Sequence, residues 1–136
     1  MTLVADSVPR LPHGQPFLLL DRVLEISEKR GVFFKLVTAA DPCVAPDGTL
    51  PAAFVLEALA QGGGAFLAAR DGAAATPGYL AAVDGFVTHT DVRVGDRLRI
   101  EVELLRRVAH ADLFRGQGFV ADRLVAEGRF TLALPR

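Results

Sequence analysis

The sequence predicts an α+β fold in which one long buried helix is wrapped by a curled antiparallel sheet of about six strands. Residues 52–70 are almost entirely apolar or glycine, and a helix that is apolar on all sides must be buried on all sides. Segments of alternating polarity flank this stretch, as in antiparallel strands with one face in water. Apolar residues and glycine together make up about 60% of the chain, above the usual ~45–50%. One helix inside one sheet is the economical way to bury that excess, so we expect residues 1–136 to form a single domain.

Two strands and a loop are predicted before the helix. Residues 16–27 are too short and too branched to favour a helix. A polar turn at 27–31 joins them to a second apolar run at 32–38, which predicts a long hairpin. Prolines and an Asp-Gly pair then mark residues 41–50 as a loop.

The helix is predicted to begin after Pro51, because the first helical turn accepts proline, and to cover residues 52–70. Three consecutive glycines at 62–64 each cost about 1 kcal/mol relative to alanine inside a helix. We therefore expect another stretch of backbone to approach the helix very closely at these positions. The turn-rich residues 71–78 end the helix.

Four strands are predicted after the helix. Residues 79–92 form a strand with few charges, and residues 98–104 alternate between apolar and charged side chains. A shorter strand follows at 113–120, and residues 124–134 alternate again towards the C-terminus.

Composition excludes several classes of function. A net charge of −1 and a pI near 6.3 argue against binding nucleic acid through phosphate contacts. The single cysteine, Cys43, excludes an intrachain disulfide framework, and no pair of histidines has metal-ligand spacing. No uninterrupted apolar run approaches the ~18–20 residues of a membrane span, and the N-terminus lacks a signal-peptide pattern. We expect a soluble cytoplasmic domain without metal or cofactor, part of whose apolar surface a second copy covers.

Glu57 is the sharpest chemical feature of the predicted helix. A carboxylate among apolar residues costs several kcal/mol unless it is paired, protonated or faces a cavity. Gln61 lies one turn later on the same face and is expected to hydrogen-bond Glu57. Two interpretations stay open: Glu57 pairs with a structural partner, or burial raises its pKa and makes it a general acid.

Five segments spread over most of the chain together resemble the (3R)-3-hydroxyacyl-acyl-carrier-protein dehydratases. They are LPHGQPFLLLDRV (11–23), EALAQ (57–61), YLAAVD (79–84), VGDRL (94–98) and EVELL (101–105). The resemblance implies the hot-dog fold, in which the sheet wraps a central helix, and a homodimer or higher oligomer. It also implies a substrate carried as a thioester on acyl-carrier protein or coenzyme A.

The resemblance further implies a division of chemical roles. In the family a histidine on the loop before the helix takes the α-proton, and a helix glutamate of the other subunit helps the 3-hydroxyl leave. A backbone amide near the helix start polarises the thioester carbonyl. Glu57 matches that glutamate, with Gln61 in support. The positions expected to contact substrate are Ala52, Ala53, Phe54, His13 and Phe86.

The sequence departs from the family at the residue expected to act as the general base. Counting back from Glu57 places Cys43 where the histidine belongs, and a thiol of ordinary pKa near 8.5 is a poor base at pH 7. Losing a positioned base typically costs 10²–10⁴ in rate, so Cys43 is either a catalytic thiol or a small packed hydrophobe. Of the histidines, His13 is expected to anchor its loop or lie near the pocket mouth, and His89 and His110 to lie at the surface.

Three functions therefore remain open. The first is a dehydratase that forms a trans-2-enoyl thioester. The second is a hot-dog thioesterase in which Glu57 activates water or attacks the thioester. The third is a non-catalytic subunit that binds acyl chains, or one that supplies Glu57 to the histidine of a different subunit.

Overall fold

The computed structural model describes residues 19–71 and 79–133. Within these ranges the chain forms one helix and eight strands. In chain order they are β1 (Arg22–Ile26), β2 (Arg30–Leu36), β3 (Thr49–Leu50), α1 (Ala52–Asp71), β4 (Tyr79–Thr88), β5 (Val92–Arg93), β6 (Arg97–Val108), β7 (Ala111–Val120) and β8 (Arg123–Ala133).

Six of the strands form one antiparallel sheet, and α1 packs on one face of it. The strand order is β1-β2-β6-β7-β8-β4. Strand β4, which follows the helix in the chain, therefore lies beside β8 at the opposite edge of the sheet from β1. The helix makes most of its contacts with β6 and β7 and few with the two edge strands. The predicted arrangement of one central helix and a six-stranded antiparallel sheet is confirmed.

Strand β6 follows its predicted alternation, but β8 does not follow it throughout. On β6 the apolar side chains at 98, 100, 102 and 104 are buried and the charged ones between them lie on the outer face. On β8 the register shifts between Gly118 and Phe119 of the neighbouring β7, which leaves Val125 as an extra residue. Val125 is consequently buried beside Ala126. Leu124, which an unbroken alternation would place on the same face as Ala126, is only half-buried.

The helix begins where the sequence predicts. The carbonyl oxygen of Pro51 accepts from the N–H groups of Phe54 (2.9 Å) and Val55 (3.2 Å), which closes the first turn. The expectation of a close backbone is wrong at Gly62 and Gly63, where side chains of the same chain approach instead. A Cβ atom on Gly62 would lie 3.0 Å from Ile100 Cγ2, and one on Gly63 would lie 2.9 Å from Phe130 Cε2. Glycine on the helix therefore makes room for sheet side chains.

Within a single chain part of the surface of the central helix remains accessible. Ala52 and Ala53 are exposed, and Leu56 and Leu67 are half-buried. By length and composition α1 would also pass as a membrane span, although no uninterrupted apolar run of that length was expected. More than half of its apolar stretch is buried in the fold, as in a core helix.

Several boundaries differ from the predicted ones. The first strand was predicted over 16–27, and its part in the described residues begins at Arg22. The strand predicted over 79–92 ends at Thr88, where the chain bends. Val92–Arg93 then pairs with Thr49–Leu50 in a separate two-stranded ladder at the end of the predicted loop. Turn patterns do not reveal such a short pairing, because two residues are too few to show a period.

Candidate active site

The centre of the candidate site is the pair Glu57 and Gln61 on the second and third turns of α1. The side-chain amide of Gln61 donates from Nε2 to Glu57 Oε1 at 3.2 Å, so the predicted hydrogen bond is present. Gln61 is 1% exposed, and its Oε1 accepts from the backbone N–H of Leu19 at 2.7 Å. Glu57 is half-buried. A carboxylate is thus held in place by a glutamine that is itself anchored to the chain before β1.

The start of the helix provides hydrogen-bond donors one turn before Glu57. Within the described residues, the N–H groups of Ala52 and Ala53 have no protein acceptor, as is usual for a first helical turn. They carry the positive end of the helix dipole. Glu57 is four positions after Ala53, about 6 Å further along the helix axis. Phe54 is half-buried and packs against the core beside them.

Cys43 lies in the loop before the helix. Its side chain is half-buried and packs against the hydrophobic core. The loop turns at this point because Val44 N–H donates to the carbonyl oxygen of Asp41 at 3.1 Å. This packing suits a small hydrophobe in a fixed turn.

A buried ion pair, which the sequence analysis did not identify, supports the loop. Asp41 Oδ2 accepts from the backbone N–H of Thr38 (2.8 Å) and from Lys35 Nζ (3.3 Å). The Lys35 side chain is 3% exposed. Burial by itself would raise the pKa of Asp41, but the Thr38 N–H and the Lys35 ammonium outweigh it and hold that pKa below its ordinary value. The available signal was the alternation of β2, which places Lys35 on the same inward face as Phe33.

Backbone hydrogen bonds fasten the same loop to the turn before β6. Val37 N–H donates to Asp96 O (3.0 Å), and Gly95 N–H donates back to Val37 O (2.8 Å). Val94 N–H donates to Gly48 O at 2.9 Å. Together with the β3–β5 ladder, these bonds fix how the loop enters the helix.

The other predicted contact residues are spread over the molecule. Phe86 lies on edge strand β4 at an irregularity of the ladder and packs partly against the core. It presses on Gly128, where a Cβ atom would lie 2.8 Å from Phe86 Cα. His13 lies outside the described residues. His89 is exposed and bonds Glu127 through its ring Nε2 at 2.7 Å, and His110 is exposed in the β6–β7 turn, so both lie at the surface as expected.

The structure therefore brings together only part of the predicted site. Glu57, Gln61 and the first helical turn share α1, while Cys43 lies on the preceding loop and Phe86 on the sheet edge. In ranges 19–71 and 79–133 no group of three or more His, Cys, Asp or Glu residues is arranged to hold a metal ion.

The family model that matches this chain is ApeP-like, described as ApeP dehydratase, and the match covers residues 7–136. The chain belongs to this family. The sequence prediction of a dehydratase-like hydro-lyase with a hot-dog fold is thereby confirmed, and α1 against the six-stranded sheet is the helix-in-sheet arrangement of that fold.

Curated relatives and a solved structure agree with the assignment of this ApeP-like dehydratase. This chain is 36% identical over 131 residues to the 3-hydroxyacyl-[acyl-carrier-protein] dehydratase FabZ of Actinobacillus pleuropneumoniae serotype 5b. The match covers 91% of this chain and 85% of the relative. FabZ of Geobacillus thermodenitrificans is 36% identical over 129 residues, with coverage of 91% and 89%. The dehydratase heterocomplex ApeI:P from Xenorhabdus doucetiae superposes with a TM-score of 0.85 at 25% identity, covering 93% of this chain and 88% of that chain.

Proposed function

We propose that this chain works in a two-subunit dehydratase that removes water from a 3-hydroxyacyl thioester carried on acyl-carrier protein. Glu57 is the acid of that reaction. The observation that carries the proposal is the Gln61–Glu57 hydrogen bond, which holds a carboxylate on a largely apolar core helix. The names of the FabZ relatives supply the substrate class.

The reaction balances without a redox partner. A base takes the α-proton, and the electron pair of that C–H bond forms the new C=C bond. The bond from the 3-carbon to oxygen breaks while Glu57 protonates the departing hydroxyl, which leaves as water. The N–H groups of Ala52 and Ala53 stabilise the negative charge that develops on the thioester oxygen, and Phe54 lines the apolar side of the acyl site. Phe86 and His13 are proposed to contact substrate at its margins.

The base of the reaction is proposed to come from the second subunit. Cys43 packs against the core, which favours a structural role for its thiol. The dehydratase ApeI:P is itself a complex of two different proteins, which supports a site assembled from unlike subunits. In a homodimer, Cys43 would have to take the histidine's role.

Edge strand β4 supports the presence of a second subunit. It lies at one end of the sheet, so within the described residues the outer edge of its backbone pairs with no other strand. Tyr79, Val83 and Val87 are 59%, 43% and 44% exposed along it. A long apolar edge is covered in most soluble proteins because it otherwise associates without control. We also propose a cytoplasmic location, which the likeness to FabZ dehydratases acting on acyl-carrier-protein thioesters supports.

The test is a turnover assay on the purified chain, alone and with a candidate second hot-dog subunit. The substrates are 3-hydroxyacyl-ACP and the matching saturated acyl-ACP, with enoyl product and free thiol followed separately. We expect enoyl formation to fall at least ~100-fold in Glu57→Gln and to persist in Cys43→Ala. Glu103→Gln, on the outer face of the sheet, is the matched control and should keep full activity.

Other outcomes overturn the proposal. Release of thiol without enoyl product would make the protein a thioesterase. Saturable binding of acyl-ACP without either product, with every subunit tested, would make it an acyl-binding subunit. Enoyl formation that survives Glu57→Gln but disappears in Cys43→Ala would transfer the chemistry to the thiol.

A further inference from the structure

Gln61 is a polar side chain with almost no contact with water, at 1% exposure. It is followed on α1 by Gly62 and Gly63, where side chains of the sheet pack so closely that they leave little room for a Cβ atom. A buried amide costs free energy unless its polar atoms are bonded, and a methionine or leucine would fill this space without that cost. Its hydrogen bonds therefore indicate what the glutamine contributes.

The orientation of the Gln61 amide follows from chemistry. The backbone N–H of Leu19 can only donate, so the atom of Gln61 that lies 2.7 Å from it must be the carbonyl oxygen. The NH₂ group is then left facing Glu57, 3.2 Å from Oε1. Because an NH₂ group can only donate, Glu57 Oε1 must accept. A contact 42 residues away in sequence thus decides which way the amide faces.

We propose that Gln61 is a positioning residue that keeps Glu57 Oε1 as an acceptor, so that the transferred proton is carried on Oε2. Leu19 sets this arrangement through its N–H group. The inference rests on the proposed function for the role of Glu57, and it adds a relay, from Leu19 to Gln61 to Glu57, through which the chain before β1 orients the acid. Gln61 acts only through Glu57.

A double-mutant cycle tests the relay in the assembled, active protein. Gln61→Met keeps the volume and removes the hydrogen bonds to Leu19 and Glu57. We expect it to lower kcat about 10- to 100-fold with KM changed less than about twofold, because the carboxylate is present but misdirected. In a Glu57→Gln background the same substitution should lower kcat no further.

Leu59→Met is the matched control for packing. Leu59 is fully buried on the same helix and its substitution leaves the relay intact. It should lower Tm by an amount comparable to Gln61→Met while keeping kcat. If kcat follows Tm in both variants, or if Gln61→Met lowers kcat equally with and without Glu57, Gln61 is only structural and the inference fails.

Hydrogen exchange gives a readout that needs no activity. The Leu19 amide should exchange at least about 10-fold faster in Gln61→Met, because its acceptor is gone. Unchanged protection would remove Leu19 from the relay. Lack of dehydration by the wild type, or full activity in Glu57→Gln, would refute the proposed function itself, and the exchange result would then still show whether the hydrogen bond to Leu19 forms.

Discussion

The centre of α1 and the edge strand β4 are built from similar apolar residues but have opposite surroundings. Under the helix, Phe114 stacks on Phe130 with ring centroids 5.3 Å apart, and Phe66 meets Phe114 edge-on at 6.1 Å. All three rings are at most 1% exposed. On β4, Val83 lies directly opposite Phe130 in the ladder and is 43% exposed.

The difference arises from where the helix lies. α1 covers the middle strands of the sheet and has few contacts with β4, so the inward face of that strand extends beyond the helix. One chain therefore completes its own centre, and the proposed second subunit would cover its edge. Changes in charge or volume should therefore destabilise the fold when they are made in the interior. At the edge, the same changes should leave the fold intact and weaken subunit association.

The largest expected loss of stability comes from breaking the ion pair between Lys35 and Asp41. Asp41→Asn keeps an acceptor for the Thr38 N–H but leaves the ammonium of the buried Lys35 without its charged partner. We expect a loss of about 3 kcal/mol in the free energy of unfolding at pH 7, measured by urea denaturation. The double variant Asp41→Asn/Lys35→Met should recover most of the loss. Equal instability of both variants would contradict this account.

The same pair has a defined pH dependence. The pKa of Asp41 is lowered in the folded protein, so the unfolded chain binds the proton more readily. The stability from this pair is therefore fully present above the unfolded pKa of about 4 and is lost as the pH falls through the lower folded value. The difference between wild type and Asp41→Asn should shrink below pH ~4.

The next effect tests the edge. Val83→Lys puts a charge on the uncovered inward face of β4, which a lone chain tolerates because the position is 43% exposed. We expect subunit association to weaken at least about 100-fold, or ~2.7 kcal/mol, by analytical ultracentrifugation, with an unchanged circular dichroism spectrum. Leu36→Lys, at similar exposure on the distant strand β2, should associate normally. Equal weakening by both substitutions would disprove a β4 interface.

The smallest expected effect on stability comes from alanine substitutions at two glycines of β7, which test how tightly the interior is packed. A methyl group on Gly116 of β7 would lie 2.9 Å from Phe130 Cε1, whereas one on Gly118 of the same strand would lie 3.4 Å from its nearest neighbour, Leu98 Cδ1. Gly116→Ala should cost about 1–2 kcal/mol by thermal denaturation, because the buried ring has to move. Gly118→Ala should be neutral or up to ~1 kcal/mol stabilising. Equal stability of the two variants would mean that the interior is looser than the distances indicate.

Local patterns predicted most of the fold and part of the site. The apolar stretch and the alternating segments fixed the helix and the strands, because the periods of helix and strand are properties of the backbone. The Glu57–Gln61 hydrogen bond was predictable for the same reason, since residues four apart on a helix are neighbours. The identity of the base was not: Cys43 remains a prediction from spacing, and His13 lies outside the described residues.

The sequence by itself determined one buried helix, an antiparallel sheet and a carboxylate beside an amide, because each depends on residues a few positions apart. Only the tertiary structure decided that Leu19 orients Gln61, that Lys35 pairs with Asp41, and that β4 is an edge strand among the described residues. These features depend on how the sheet orders its strands and where the helix crosses it. Closing long loops costs little extra entropy with length, so many distant pairings are open to the chain, and packing selects among them.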